Sequence, residues 1–209
     1  MQIAAVRLAS ADVAAQRDLY VGTLGLAQID APPRALAVSI GPSRLIFEPG
    51  GPSPQHVAFR IPSPAYADAL GWLGERTTLL PNADGGLEHP FPDWNADAMY
   101  FRDPDGNVLE LIAHHDFDDA YEPPFGPAHL LAIGEVGIPV DDMRSFLADV
   151  ERHQGIRRWS GDGIGFAAAG DKHGSLIVVP RGRPWHPVPG SDATAPPLGI
   201  VIEGLGALY

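Results

Sequence analysis

The sequence predicts an α+β fold assembled from repeated units, each made of a strand, a helix and a further set of strands. Three observations lead there. First, Val6, Leu8, Asp12 and Gly25 recur 130 positions later as Val136, Ile138, Asp142 and Gly155, and Pro49 recurs one step further on as Pro180. A third copy of the pattern starts at His56. Second, the strands alternate, with one aliphatic face and one face carrying ionisable groups. Third, each opening strand is followed by a helical spacing of apolar residues. Together they describe sheets with helices packed on one side and a polar, concave surface on the other.

Taken in order, the first unit opens on the strand around Val6 and Leu8. Its helix, about residues 12–22, has a poor apolar stripe because inner positions include Gln16 and Arg17. Its closing strand puts Leu45 and Phe47 on one face and Arg44, Ile46 and Glu48 on the other. In the second unit Val57, Phe59 and Ile61 oppose His56, Ala58 and Arg60. Ser63 is placed to cap the next helix and Pro64 to start it; Tyr66, Ala69, Leu70 and Leu73 form its buried stripe. Leu109 and Leu111 then oppose Val108, Glu110, Ile112 and His114. Residues 116–128, acidic and then proline-rich, read as a linker. In the third unit Asp141-Asp142 precedes a helix whose stripe is Met143, Phe146, Leu147 and Val150. Gly170-Asp171-Lys172-His173-Gly174 is a turn between strands, with no helix after it to bind an anion. Five prolines make residues 183–197 a loop, and Leu198–Ile202 is a last short apolar strand.

Composition excludes several classes. Among the 209 residues, 45% are apolar and 19% charged, as in a folded protein. The net charge is −12 and the basic residues form no stripe, which argues against nucleic-acid and anionic-membrane partners. There is no cysteine, so disulfides, thiolate nucleophiles and cysteine-ligated metals are excluded. No apolar run approaches the ~20 residues of a membrane span, and the first residues lack the layout of a secretion signal. The expectation is a soluble, cytoplasmic protein.

Tyr100-Phe101-Arg102-Asp103-Pro104-Asp105-Gly106-Asn107-Val108-Leu109-Glu110-Leu111 resembles the terminal hairpin of the vicinal oxygen chelate superfamily. His56-Val57-Ala58-Phe59 resembles the opening strand of that family's second βαβββ module. The superfamily includes glyoxalase I, extradiol dioxygenases, fosfomycin-resistance enzymes and bleomycin-binding proteins. The resemblance implies paired βαβββ modules forming a curled mixed sheet around a cup, with a divalent metal at its bottom. It groups residues 1–115 as a two-module domain around one cup, and leaves 129–209 as a third module with the proline-rich loop and an incomplete fourth. It also implies that His56 and Glu110 occupy two ligand positions; a His nitrogen and a carboxylate on neighbouring strands can hold one ion at about 2.0–2.2 Å.

The sequence departs from the family pattern at the third ligand. Counting back from Asp12 places it at Ala5, which cannot ligate. Glu48, on the last strand of the first module, is the substitute and the candidate general base. The equivalent position in the third module is Glu135, where a matching histidine is absent. His114 shares a face with Glu110 but lies four residues along the strand, about 13 Å away. Arg7 and Arg60 fall on the cup face by parity, either as a clamp for an anionic substrate or as ion pairs with Glu48 or Glu110. Tyr100 is a donor to a substrate oxygen or a packing residue.

The expected function is a metal-dependent enzyme of the glyoxalase/dioxygenase type, a lyase or dioxygenase, acting on a small anionic substrate with vicinal oxygens. The alternative is a metal-free small-molecule-binding protein resembling the drug-sequestering relatives. A homodimer is expected because a single third module would leave a free sheet edge.

Overall fold

The computed structural model describes residues 1–208. The chain runs through three βαβββ modules and a remnant of a fourth. The first comprises β1 (Ile3–Ser10), α1 (Val13–Arg17), β2 (Gln28–Ile29), β3 (Leu36–Ile40) and β4 (Ser43–Pro49). The second has β5 (His56–Arg60), α2 (Tyr66–Gly74), β6 (His89–Phe91), β7 (Ala96–Arg102) and β8 (Val108–His114). The third has β9 (Ala132–Val140), α3 (Met143–Gln154), β10 (Arg158–Gly161), β11 (Ala167–Asp171) and β12 (Gly174–Pro180); β13 (Gly199–Ile202) and β14 (Gly206–Ala207) follow the proline-rich loop.

Local chemistry accounts for the helices. Asp12 caps α1, its carboxylate accepting the N–H groups of Ala14 and Ala15 at 3.0 Å each. The helix continues as a wider turn over Asp18–Thr23, closed by the Leu24 N–H on the Leu19 carbonyl. Its weak apolar stripe has a reason: Gln16 is buried and donates to Asp105 at 2.6 Å, while buried Tyr20 donates to Asp103 at 3.3 Å. α1 therefore docks on the β7–β8 turn of the second module through polar pairs. In that turn Asp103 also accepts the N–H groups of Asp105 and Asn107. Ser63 does not cap α2; its hydroxyl bonds His115 at 2.6 Å, and a short 3-10 turn over Ser63–Ala65 leads into the helix instead.

Two sheets result, and their pairing differs from the sequence-based grouping of residues 1–115 around one cup. The eight-stranded sheet runs β10-β11-β12-β9-β5-β8-β7-β6, so the second module pairs with the third along an antiparallel β5–β9 seam. The six-stranded sheet runs β14-β13-β1-β4-β3-β2, so the first module pairs with the fourth-module remnant. The first and second modules, adjacent in sequence, thus lie in different sheets. The edge of β1 is taken by β13, with Ile3 opposite Ile202 and Val6 opposite Ile200. That frees β5 for β9. The third module has its partner within the chain, which removes the ground on which a homodimer was expected. One large core, including Val6, Phe47, Phe59, Leu111, Val136 and Ile138, lies between the sheets and under the helices.

The seam carries a bulge. Ala58 faces Glu135 and Phe59 faces Ile133, leaving Gly134 as the extra residue on β9. Ile133 enters the main core, whereas Glu135, two positions on, turns to the other face. The Ile133 N–H donates to Ser43 Oγ at 3.1 Å, and that hydroxyl donates to the Ile3 carbonyl at 2.7 Å, tying the two sheets together. Beside this junction the β3–β4 turn meets the backbone before β9: Gly41 has φ +52° and a Cβ there would lie 2.0 Å from the Leu131 carbonyl oxygen. A side chain at 41 is opposed by backbone conformation and backbone contact at once. Gly41→Val is expected to cost more than about 2 kcal/mol, measured by chemical denaturation; a loss under half that value would show that the sheets adjust freely at this point.

Candidate metal centre

Three side chains meet on the concave face of the eight-stranded sheet. His56 starts β5, Glu110 sits mid-β8 and Glu135 lies on β9 just past the bulge. Ala58 is the register partner of both glutamates; its methyl leaves the space between the carboxylates open. His56 Nε2 is 3.4 Å from Glu110 Oε2 and 3.5 Å from Glu135 Oε2, and one donor atom from each of the three lies within 4.8 Å of the others. All three residues are buried, at 5%, 2% and 5% exposure. Among the described residues no lysine or arginine pairs with either carboxylate.

The histidine tautomer is set by its other nitrogen. His56 Nδ1 is 3.2 Å from the Val108 carbonyl, which can only accept, so Nδ1 carries the proton and Nε2 presents a lone pair. A lone pair facing two carboxylate oxygens is repulsive until a cation or a proton stands between them. One nitrogen and two carboxylate oxygens, buried together, suit a divalent ion. Burial pushes the Glu110 carboxyl well above its ordinary range, the Glu135 charge adding to the shift and the Tyr100 hydroxyl opposing it. Tyr100 is raised in turn, by burial first and by both glutamates.

The repeat offers a fourth position, and it is apolar. Ser175 pairs with Glu135 as Val108 pairs with His56, and Ile177 pairs with Gly137 as Glu110 pairs with Ala58. Ile177 thus stands where a fourth ligand would be. Above the three donors is a cavity of about 290 Å³ lined by Phe91, Trp94, Phe166, Trp185 and His186 among others. The last two come from the proline-rich loop, which folds back over the cup. The Trp185 indole donates to the Pro54 carbonyl at 2.9 Å, and Arg102 holds Ser191 at 2.9 Å.

His186 belongs to a short relay. His89 Nε2 lies 3.0 Å from the Leu80 carbonyl and therefore carries the proton; His89 Nδ1 accepts from His186 Nε2 at 3.2 Å. His186 Nδ1 is left as a lone pair at the cavity mouth. Burial, then the neighbouring His89, His56 and Arg183, push the His186 pKa down to about 4, so it is neutral in ordinary buffers. His89 is lowered as well, by burial against the opposing bond to Leu80.

The structure brings together His56, Glu110 and Tyr100 of the sequence-predicted residues and separates the rest. Glu48 lies in the six-stranded sheet, paired through both oxygens with Arg7 at 2.7 and 3.1 Å. Neither lines the cavity, so the assignment of Glu48 as third ligand and base is corrected in favour of Glu135 as the third donor at the cluster. Arg60 points away from the cavity too, bound to Asp119 at 3.1 Å and lying over the Phe117 ring at 4.5 Å. No anion clamp forms from Arg7 and Arg60. Glu135 was visible in the sequence as the repeat equivalent of His56; the cap residues Trp185 and His186 had no signal beyond the prolines around them.

No family model and no curated protein matches the sequence. Solved structures do. A "putative dioxygenase" from Bacillus subtilis superposes with a TM-score of 0.63 at 16% identity, over 88% of this chain and 65% of that one. The chain has the vicinal oxygen chelate fold. A lactoylglutathione lyase from Agrobacterium tumefaciens matches 56% of this chain and 96% of its own at 18% identity and a TM-score of 0.46. A glyoxalase/bleomycin resistance protein/dioxygenase from Nocardioides matches 60% and 90% at 21% identity, with a TM-score of 0.44. The chain spans about two thirds of the Bacillus protein's length, 65%. In the vicinal oxygen chelate fold seen here, the cup is the one closed by the second and third modules.

The raised Glu110 gives a signed pH dependence. Its folded-state pKa exceeds the ~4.3 of an unfolded chain, so its contribution to the metal-free fold is most favourable below about pH 4.3 and is lost as pH rises toward the folded value. Cation binding needs the ionised form and releases a proton, so affinity rises with pH. Glu110→Gln is expected to raise the melting temperature of metal-free protein near pH 8 while weakening divalent-ion binding at least about tenfold. Calorimetry in two buffers of different ionisation enthalpy reads the proton, and release of none would contradict the account.

Proposed function

We propose that the protein is a metal-dependent enzyme of the glyoxalase/dioxygenase type, acting on a small ligand that carries two adjacent oxygens on an aromatic or apolar body. The observation that supports this reading most is His56 Nε2 facing two buried carboxylates with which no lysine or arginine among the described residues pairs. A divalent ion at that point supplies Lewis acidity to the ligand oxygens. His56, Glu110 and Glu135 would hold it, and Ile177 on the facing strand offers it no fourth protein donor.

The chain's own residues do the remainder. Phe91, Trp94, Phe166 and Trp185 enclose the ligand body and exclude water. Tyr100, buried beside Glu110, opposes through its hydroxyl the upward push that burial gives that carboxyl. His186 Nδ1 is a neutral acceptor for a ligand hydroxyl, and His89 with the Leu80 carbonyl orients it. Its neighbours at the mouth are His89, Tyr100 and Phe91. Arg183, over the Phe166 ring and bonded to the Gly165 carbonyl, is the cation on the lining.

Cobalt(II) substitution tests the reading. The visible spectrum of cobalt-loaded protein is expected to change on addition of catechol and not of phenol, and His56→Ala is expected to abolish cobalt uptake. Protein that takes up no divalent ion at micromolar concentration and still binds aromatic ligands would transfer the assignment to a metal-free binding protein.

A further inference from the structure

The cap segment does more than close the cup. It belongs to none of the three modules, yet it is fastened as tightly as a strand. Across it the Gly182 N–H donates to the Ala193 carbonyl at 2.8 Å and the Ala193 N–H to the Arg183 carbonyl at 2.9 Å, Trp185 N–H donates to the Ser191 carbonyl, and Gln55 holds the Ala195 carbonyl at 2.7 Å. Trp185 is only 3% exposed, its indole N–H is fixed on Pro54, and its ring centroid is 5.7 Å from that of His56. A ring held at both ends is a wall.

Its seat is a missing side chain. A Cβ at Gly137 would lie 2.4 Å from Trp185 Cη2 and 2.8 Å from Cζ2, closer than atoms can stand. The backbone of β9 at this point carries no left-handed torsion, so the requirement for glycine comes from the indole alone. In the repeat, Gly137 is the equivalent of Ala58: the first lies opposite Ile177, the second opposite Glu110. The two halves of the cup are therefore furnished differently. On the second module's half Ala58 leaves room beside Glu110 for the donors. On the third module's half Ile177 and Trp185, resting on Gly137, occupy the corresponding space with hydrocarbon. The cavity that remains, about 290 Å³, is at the small end of small-molecule sites, which run to about 1,000 Å³.

We propose that Trp185 is the specificity-determining wall of this site and that Gly137 is the seat without which it cannot stand there. The ligand is then confined to a small ring system on the side of Trp94 and Phe166, and a larger one is rejected by the indole. The inference rests on the reading of this cavity as a ligand site; it does not depend on a metal.

The test compares wild type, Trp185→Ala and Gly137→Ala in the full, metal-free chain, using naphthol and phenanthrol as probes of two and three fused rings. Binding is read by probe fluorescence, and folding by thermal melting. Wild type is expected to bind naphthol at least tenfold tighter than phenanthrol, and both variants to reduce that preference at least tenfold. Gly137→Ala keeps the tryptophan but unseats it, so it carries the test if removing the indole loosens the cap. Preference ratios within twofold of wild type in both folded variants, or no binding of either probe by any of the three proteins, overturn the assignment. Cobalt uptake measured on the same samples reads the metal separately: its failure in wild type removes the ion and leaves the wall to the probe ratios.

Discussion

The antiparallel seam between β5 and β9, with its single bulge at Gly134, is the constraint on which the site depends. Without the seam, His56 and Glu135 belong to separate modules. Without the extra residue, strand parity would send Ile133 and Glu135 to the same face, and either the core would receive a carboxylate or it would lose Ile133 to the cup. The bulge lets one short stretch of chain serve both surfaces of the sheet. Its freed N–H is not wasted in the core, because Ser43 from the other sheet accepts it. One irregularity thus sets the ligand geometry and the junction between sheets.

A second constraint is electrostatic. Carboxylates so deeply buried are tolerated only with a partner of opposite charge or as neutral acids. Glu48 shows the contrast: it sits at a partly exposed face, where Arg7 and water satisfy it. Glu110 and Glu135 have a histidine and each other. The hydrophobic wall of Trp94, Phe166, Ile177 and Trp185 raises the cost of leaving them uncompensated, and by the same physics strengthens any interaction made inside. The apolar lining and the charged floor are one arrangement.

Much of this was legible in the sequence. The repeat located all three opening strands, and alternation put His56, Glu110 and Ile112 on the face where they are found. Parity also put Arg7 and Glu48 on a common face, as they are; it could not say that this face belongs to a different sheet. Pairing between modules is decided by edges far apart in sequence, here by β13 reaching back to β1, and local pattern carries no record of that. Glu135 was marked by its equivalence to His56, but the expectation of a histidine there hid a carboxylate able to serve. Gln16 looked like a flaw in a helix because its partner, Asp105, lies in another module. The cap was illegible for a plainer reason: prolines announce loop, and nothing local tells where a loop will rest.

The donors of the site are dispersed along the chain, His56 and Glu135 being 79 residues apart. During synthesis two of the three, His56 and Glu110, exist before β9 has been made, and at that stage the edge of β5 is unpaired. Any cation taken by the finished triad therefore acts as a reversible cross-link between modules that are synthesised one after the other. Such a link shortens a long loop of the unfolded chain and ties the integrity of the seam to the free ion concentration by mass action. The bulged strand that completes the cup is in this sense a latch between the two modules.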